Sequence, residues 1–237
     1  MNIEIKKLTP QDEAKIEEVR QAIFKKLRDV PVDGIEVEYL GKSFRVLPGV
    51  FWPHEDSKEI VKNMVINEGD EVLDLFSGSG VIAIFAALKG AKKVIATDIN
   101  PTAVKNIEIN AKKFNIENII YPRLSDVFSG ITHGEKFDVI TGNPPFSDRK
   151  ISNQEEKFIE QTIKDEGLTA HKKLFSQLSQ FLKPTGRVYL SQANFGGINE
   201  MLALADSAGF SCKIIGENHI ENDPRIYYAF ELKRSNI

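Results

Sequence analysis

Two short segments carry residue types whose spacing points to chemistry: Asp74-Leu75-Phe76-Ser77-Gly78-Ser79-Gly80 and Asn143-Pro144-Pro145-Phe146. The first sets an acid and then two glycines between an apolar run and a helix-forming run. Glycines there let the backbone turn sharply and approach a ligand closely. Gly78-Ser79-Gly80-Val81-Ile82-Ala83 also satisfies the Gly-x-Gly-x-x-Gly/Ala dinucleotide fingerprint, with Asp98 at a suitable distance downstream. Asp74 argues against a pyrophosphate: at roughly 4 Å the repulsion costs from about 1 to several kcal/mol, depending on the local dielectric. A cofactor carrying an ammonium, such as the methionine part of S-adenosylmethionine, suits that carboxylate instead. A nicotinamide-dependent oxidoreductase is the alternative from another reaction class, and a non-enzymatic binding module is the third.

The candidate cofactor residues follow from the ends of successive strands. Asp74, Phe76, Gly78 and Gly80 belong to the loop. Asp98, with Ile99 beside it, ends the second strand, where two carboxylate oxygens suit two ribose hydroxyls. Asp126 follows the third strand as an acceptor for an adenine amine, with Val127 or Phe128 covering the ring. A plain surface turn competes for Asp126.

Asn143-Pro144-Pro145-Phe146 follows the fourth strand at its carboxyl end, where open α/β sheets place ligands. A planar amide or aryl amine has its nitrogen lone pair delocalised, so it must be held in line to attack a sulfonium methyl. The Asn143 side-chain oxygen and the Pro144 carbonyl each accept one N–H, leaving the lone pair facing the methyl group. Phe146 offers a flat face, worth about 1–3 kcal/mol if the target is a base. We therefore assign Asn143, Pro144 and Phe146 to catalysis, with Asn143 also against the cofactor, and Pro145, Phe146 and Trp52 to substrate contact. Positioning carries the rate, saving roughly 7–11 kcal/mol of barrier. The expected enzyme is an S-adenosylmethionine-dependent N-methyltransferase.

These segments need elements to hold them. Thr9-Pro10-Gln11-Asp12-Glu13 starts a helix predicted over Pro10 to Arg28. Ile35–Tyr39 and Ser43–Leu47 read as a hairpin around Gly41-Lys42. A short helix is predicted from Asp56 to Met64. Strands then alternate with helices: Val72–Phe76, Lys93–Thr97, Asn118–Tyr121, Phe137–Thr141 and Gly186–Ser191, with helices at Gly80–Lys89, Pro101–Phe114, within Gln154–Phe181, and at Ile198–Ala208. Ser211–Gly216 and Arg225–Leu232 follow with no helix between them, so they pair antiparallel. The predicted fold is α/β: a Rossmann-like, doubly wound, seven-stranded mixed sheet with a small N-terminal helix-plus-hairpin cap. The cap spans residues 1–50 and the cofactor-binding domain residues 51–237.

Composition narrows the class. The chain has 237 residues, 41% hydrophobic and 27% charged, which is globular. Its apolar stretches are too short to span a bilayer. One cysteine and no secretory signal point to the cytoplasm. The four histidines show no metal-ligand spacing, so no metal is expected. His171-Lys172-Lys173 reads as a solvated helix face, and Arg149-Lys150 as a phosphate contact.

The order of these motifs resembles the class I methyltransferase superfamily from about Gly49 to Leu232. Tyr39 to Phe44 and Gly49 to Ser57 are similar to the hairpin and following loop of release-factor glutamine methyltransferases, as are Ala208-Gly209-Phe210 and Pro224-Arg225-Ile226. That resemblance implies Asn143, Pro144 and Phe146 in the roles just given. Two features depart from it: Phe146 replaces the usual tyrosine, and the multi-helix substrate domain is cut to about one helix. The phenylalanine form is similar to ribosomal-RNA guanine and adenine N-methyltransferases, and Leu88 to Val94 resembles a ribosomal-protein lysine methyltransferase. The pI of about 5.9 and a formal net charge of −3 give no broad basic face. A protein glutamine is the preferred acceptor; an RNA or DNA base amine, or a small molecule, is the alternative.

Overall fold

The computed structural model describes residues 5–146 and 157–235. The N-terminal helix α1 (Pro10–Arg28) has the predicted bounds. Thr9 and Asp12 close a reciprocal cap, each side chain bonded to the other's backbone N–H at 3.2 and 2.9 Å. The hairpin β1 (Ile35–Tyr39) and β2 (Lys42–Val46) forms a separate two-stranded sheet. The short helix α2 (Lys58–Asn63) then leads into the main sheet.

That sheet contains β3 (Glu71–Leu75), β4 (Lys93–Asp98), β5 (Ile120–Leu124), β6 (Phe137–Gly142), β7 (Leu182–Ala193), β8 (Phe210–His219) and β9 (Ile226–Arg234). Their spatial order is β5-β4-β3-β6-β7-β9-β8. The first five strands are parallel, and β9 pairs antiparallel with both β7 and β8. The strand order reverses beside β3, so the carboxyl ends of β3, β4 and β6 open on one crevice.

Helices cover both faces because strand side chains alternate. On one face Leu73, Leu75, Ile140 and Leu190 pack against α6 (Thr169–Phe181) and α7 (Ile198–Ser207). On the other, Val72, Val139 and Tyr189 meet α2 and the apolar α3 (Val81–Leu88), while Val94 and Ile107 lie in the same cluster near α4 (Pro101–Lys113).

Several predicted elements differ in extent. β5 begins two residues later than expected and runs to Leu124. β7 starts at Leu182, four residues early, because Lys183–Gly186 bulge out of register opposite β6, so its proline and glycine do not end the strand. The predicted long helix within Gln154–Phe181 is broken. Residues 154–156 lie outside the described residues; α5 (Lys157–Gln161) is followed by a 3-10 turn at Glu166–Leu168 and then α6. Left-handed Gly167 and Leu168, at φ +66° and +53°, break the helical path.

Candidate functional site

The loops at the carboxyl ends of β3, β4, β5, β6 and β7 surround one cavity of about 500 Å3. Segment 49–57 closes one side, and α1 with α5 covers another. Most residues predicted for cofactor or substrate lie on this wall: Trp52, Phe76, Gly78, Asp98, Ile99, Asp126, Val127, Asn143, Pro144, Pro145 and Phe146.

The wall around the glycine loop is built mainly from backbone. Phe76, Gly78 and Gly80 take left-handed conformations at φ +57°, +54° and +83°. A Cβ at Gly78 would lie 3.3 Å from the Phe51 carbonyl oxygen, and one at Gly80 3.3 Å from the Ile107 side chain. Both glycines thus satisfy close approach as well as φ. Gly80 itself stands behind the wall as the cap of α3. The loop is tied down where Ser77 N–H donates to the Thr97 carbonyl at 2.9 Å and Ser77 Oγ to the Asp74 carbonyl at 2.9 Å.

Asp98 also holds the loop. Its Oδ2 accepts from Gly78 N–H and its Oδ1 from Asn100 N–H, both at 2.9 Å. Burial raises its pKa, while these N–H groups act in the opposite direction. Each oxygen keeps a lone pair for a further donor. Asn100 caps α4 as expected, accepting from Thr102 N–H at 2.9 Å, with Pro101 at the first helical position.

Asp74 departs from the expectation of a carboxylate facing a ligand. It is fully buried behind the glycine loop and is absent from the cavity wall. Thr141 Oγ1 donates to its Oδ1 at 2.7 Å, and Oδ2 has no partner among the described residues. Burial pushes its pKa up to about 7, against the Thr141 and Ser77 hydrogen bonds.

Two further expectations change on the adenine side. Asp126 reaches the cavity but is ion-paired with Lys173. Val127 lines the cavity, whereas Phe128 stacks on Phe181 with ring centroids 4.6 Å apart and belongs to the core. His171 is not on a solvated face. It is fully buried, with Nδ1 against Asp165 Oδ2 at 2.7 Å and Nε2 accepting from Gln192 Nε2 at 3.2 Å. The helix face that looked solvated includes a position turned inward, and the break at Gly167 and Leu168 sets that phase. Arg149 and Lys150 lie outside the described residues.

The wall around Asn143 and Phe146 is built from side chains. Asn143 Nδ2 donates to Ser57 Oγ at 3.3 Å, and Asn143 Oδ1 is buried with no partner among the described residues. Phe146 is only 7% exposed, because Phe195 meets it edge-on and Tyr227 tilts against it, each with centroids 6.1 Å away. It is thus one wall of an aromatic box rather than an open stacking platform. Trp52 stacks on Phe51 at 5.4 Å beneath Lys26, and is both cavity wall and cap core.

The sequence reading missed several participants. His54 sits edge-on to Tyr227, with Nδ1 buried and without a partner among the described residues, and its pKa lowered by burial. Arg225 is held by Asp223 through two bonds of 2.9 Å and donates to Tyr227 Oη at 3.2 Å. The dense polar run His54-Glu55-Asp56-Ser57 beside Trp52 was the available signal for this side; Arg225 stood out only within the Pro224-Arg225-Ile226 resemblance, and Tyr227 gave none, being spaced like an ordinary strand residue. Asn106 and Asn110, both fully buried, were missed too. Asn110 accepts from Arg45 N–H at 2.8 Å and donates to the Ser79 carbonyl at 2.9 Å, while Asn106 accepts from Leu47 N–H at 2.7 Å. They pair the hairpin edge and tie it to the glycine loop. Two asparagines four apart among apolar helix residues were their trace.

Among the described residues no group of three or more His, Cys, Asp or Glu is placed to hold a metal. No described helix is long and apolar enough to cross a membrane.

This sheet order, with a glycine loop after β3 and an Asn-Pro-Pro-Phe segment after β6, is that of a methyltransferase fold, and the curated relatives place the chain among the class I S-adenosylmethionine-dependent methyltransferases. Within that class, the chain belongs to the family described as Conserved hypothetical protein 95, which matches residues 39–198. It is 36% identical to a Methanocaldococcus jannaschii protein described as "Putative protein N5-glutamine methyltransferase", over 76% of this chain and 89% of that one. It is 28% identical to a release factor glutamine methyltransferase of Clostridium acetobutylicum, over 73% of this chain and 65% of the relative. In fold it is similar to the T. thermophilus 16S rRNA N2 G1207 methyltransferase in complex with AdoMet and guanosine. That match has a TM-score of 0.61 at 18% identity and covers 85% of this chain and 50% of the other. The protein is an S-adenosylmethionine-dependent methyltransferase.

Proposed function

We propose that the protein methylates the nitrogen of a planar side-chain amide, and that the acceptor is a protein glutamine. The observation that carries this is Asn143 Oδ1, a buried acceptor without a partner among the described residues at the end of β6, beside the aromatic box. A buried oxygen left unpaired costs about 1–3 kcal/mol, and an incoming N–H removes that cost. The descriptions of the M. jannaschii and C. acetobutylicum relatives support an amide acceptor.

The residues fit the cofactor. Asp98 retains a lone pair on each oxygen for ribose hydroxyls, and Ile99, Val127 and Phe76 offer apolar contact beside it. Asp126 is the acceptor toward an adenine amine, reached by turning from Lys173. Gly78 and Gly80 shape the loop for the methionine portion, and Asp74 Oδ2 supplies negative charge from behind it. Bound there, S-adenosylmethionine supplies an electrophilic methyl group on a sulfonium.

The chain's own contribution is orientation. Asn143 Oδ1 and the Pro144 carbonyl accept the two amide hydrogens, so the nitrogen lone pair is presented rather than hydrogen-bonded. Pro144 and Pro145 restrict the backbone that carries them. Phe146, Phe195, Tyr227 and Trp52 exclude water and hold the flat amide between apolar surfaces.

The test is incubation with tritiated cofactor and separated protein, deproteinised RNA and small metabolites from the same cells. Label is expected in protein, released on digestion as N5-methylglutamine. Label in RNA and not in protein overturns the amide acceptor.

A further inference from the structure

Ser57 stands at the N-cap position of α2, where a serine hydroxyl ordinarily accepts from a backbone N–H of the first turn. Here it makes no capping bond. Its Oγ instead donates to Asp56 Oδ1 at 3.2 Å and accepts from Asn143 Nδ2 at 3.3 Å. Asp56 and Ser57 are 5% and 3% exposed. The Asp56 main chain is fixed to the sheet, its carbonyl accepting from the fully buried Ser191 Oγ at 2.8 Å.

The direction of this chain of bonds follows from its far end. A carboxylate oxygen accepts and does not donate, and a serine hydroxyl has one hydrogen. Ser57 therefore gives its hydrogen to Asp56 and turns a lone pair to Asn143. That lone pair is satisfied by Nδ2–H and repels Oδ1. An asparagine amide has two orientations of nearly equal shape, distinguished only by their partners. With Nδ2 held by Ser57, Oδ1 is left buried without a partner among the described residues. The reversed amide would turn N–H groups toward an acceptor that also brings N–H groups.

We propose that Asp56 and Ser57 are positioning residues that lock the Asn143 amide with its oxygen toward the methyl acceptor. This rests on the role assigned to Asn143 above. Ser57 forgoes the helix cap to serve this bond, so the local sequence is organised around residue 143 rather than around α2.

The test uses full-length, 15N-labelled protein saturated with S-adenosylhomocysteine, the demethylated cofactor. The Asn143 carboxamide signals are assigned by their loss in Asn143→Ala, and their hydrogen exchange is followed. Label transfer from tritiated S-adenosylmethionine into total protein and total RNA of the same cells is measured alongside. Ser57→Ala is expected to speed Nδ2 exchange and to slow transfer about 10–100-fold, the range for a misplaced reacting group. S-adenosylhomocysteine affinity should stay at the wild-type value, and Ser57→Thr, which keeps the hydroxyl, should restore both readouts. Unchanged exchange in Ser57→Ala overturns the relay, and this arm needs no methyl acceptor. Equal loss of rate and cofactor affinity, without rescue by threonine, also overturns it. Full-rate transfer by Asn143→Ala removes the role of Asn143 and the relay's purpose with it. A slow Asn143→Ala beside a full-rate Ser57→Ala removes the relay alone.

Discussion

The two halves of the cavity are built in different ways. The half proposed for the cofactor comes largely from one stretch of chain, Asp74 to Asn100, a backbone turn with two left-handed glycines, tied through Gly78 N–H and Asn100 N–H to the Asp98 carboxylate. The acceptor half joins four distant segments, around Trp52–Ser57, Asn143–Phe146, Phe195 and Arg225–Tyr227, and presents side chains. A cofactor that stays the same can be met by a local backbone geometry. The flat acceptor proposed above is met by side chains gathered from separate segments. The difference teaches where substitution should alter cofactor binding and where it should alter transfer.

The sharpest break between the halves is expected at Asn143. Replacement by alanine should lower turnover about 10²–10³-fold, the scale for losing one oriented partner in a site. Cofactor affinity, read by calorimetry, should barely change. Proportionate loss of both would make Asn143 structural and erase the distinction.

Asp98→Ala should act in the opposite sense. It removes the partners of Gly78 N–H and Asn100 N–H together with the proposed ribose contacts. Charged hydrogen bonds of this kind are each worth about 1.5–3 kcal/mol, so cofactor affinity should fall at least tenfold. Turnover at saturating cofactor should fall less; a greater fall in turnover would show that the loop also serves transfer.

Asn110→Ala tests whether the cap hairpin and glycine loop are one unit. It removes the partners of Arg45 N–H and the Ser79 carbonyl, both tied by a fully buried side chain. Denaturant unfolding should show a loss of about 1–3 kcal/mol. Cofactor affinity should weaken as well; if stability alone changes, the hairpin is independent of the site.

The last effect expected is a pH dependence set by Asp74. Its folded pKa of about 7 stands above the ordinary 3.8. The neutral carboxyl therefore contributes stability that is full below the unfolded pKa and is lost as pH rises through the folded pKa. Melting temperature without cofactor should carry a decline from this group between about pH 4 and 8 that Asp74→Asn removes. A cationic ligand favours the ionised form, so wild-type cofactor affinity should rise from about pH 6 to 7.5 and be flatter in Asp74→Asn. Equal pH profiles in the two proteins would mean that Asp74 does not sense the ligand's charge.

Much of the sheet was legible from local signals. Thr9-Pro10 with Asp12, and Asn100-Pro101, each carry a cap and a proline that mark helix starts independently of distant contacts. The glycine loop and Asn143-Pro144-Pro145-Phe146 were legible because the residues that matter are adjacent in the chain. Where an outcome depended on packing, the reading shifted. The bulge that extends β7, the break before α6 and the inward turn of His171 are decided by neighbours far away in sequence.

By itself the sequence determined the order of strands and helices, the glycine loop and the proline-stiffened turn, because hydrophobic period, capping and backbone restriction act over a few residues. Tertiary structure alone decided that Asp74 stands behind the loop, that Phe146 is boxed by Phe195 and Tyr227, and that Ser57 is bonded to Asn143 rather than to its own helix. The reason is physical: a side chain's partner is set by which segments the folded sheet brings within a few ångströms, and nothing in chain spacing encodes that distance.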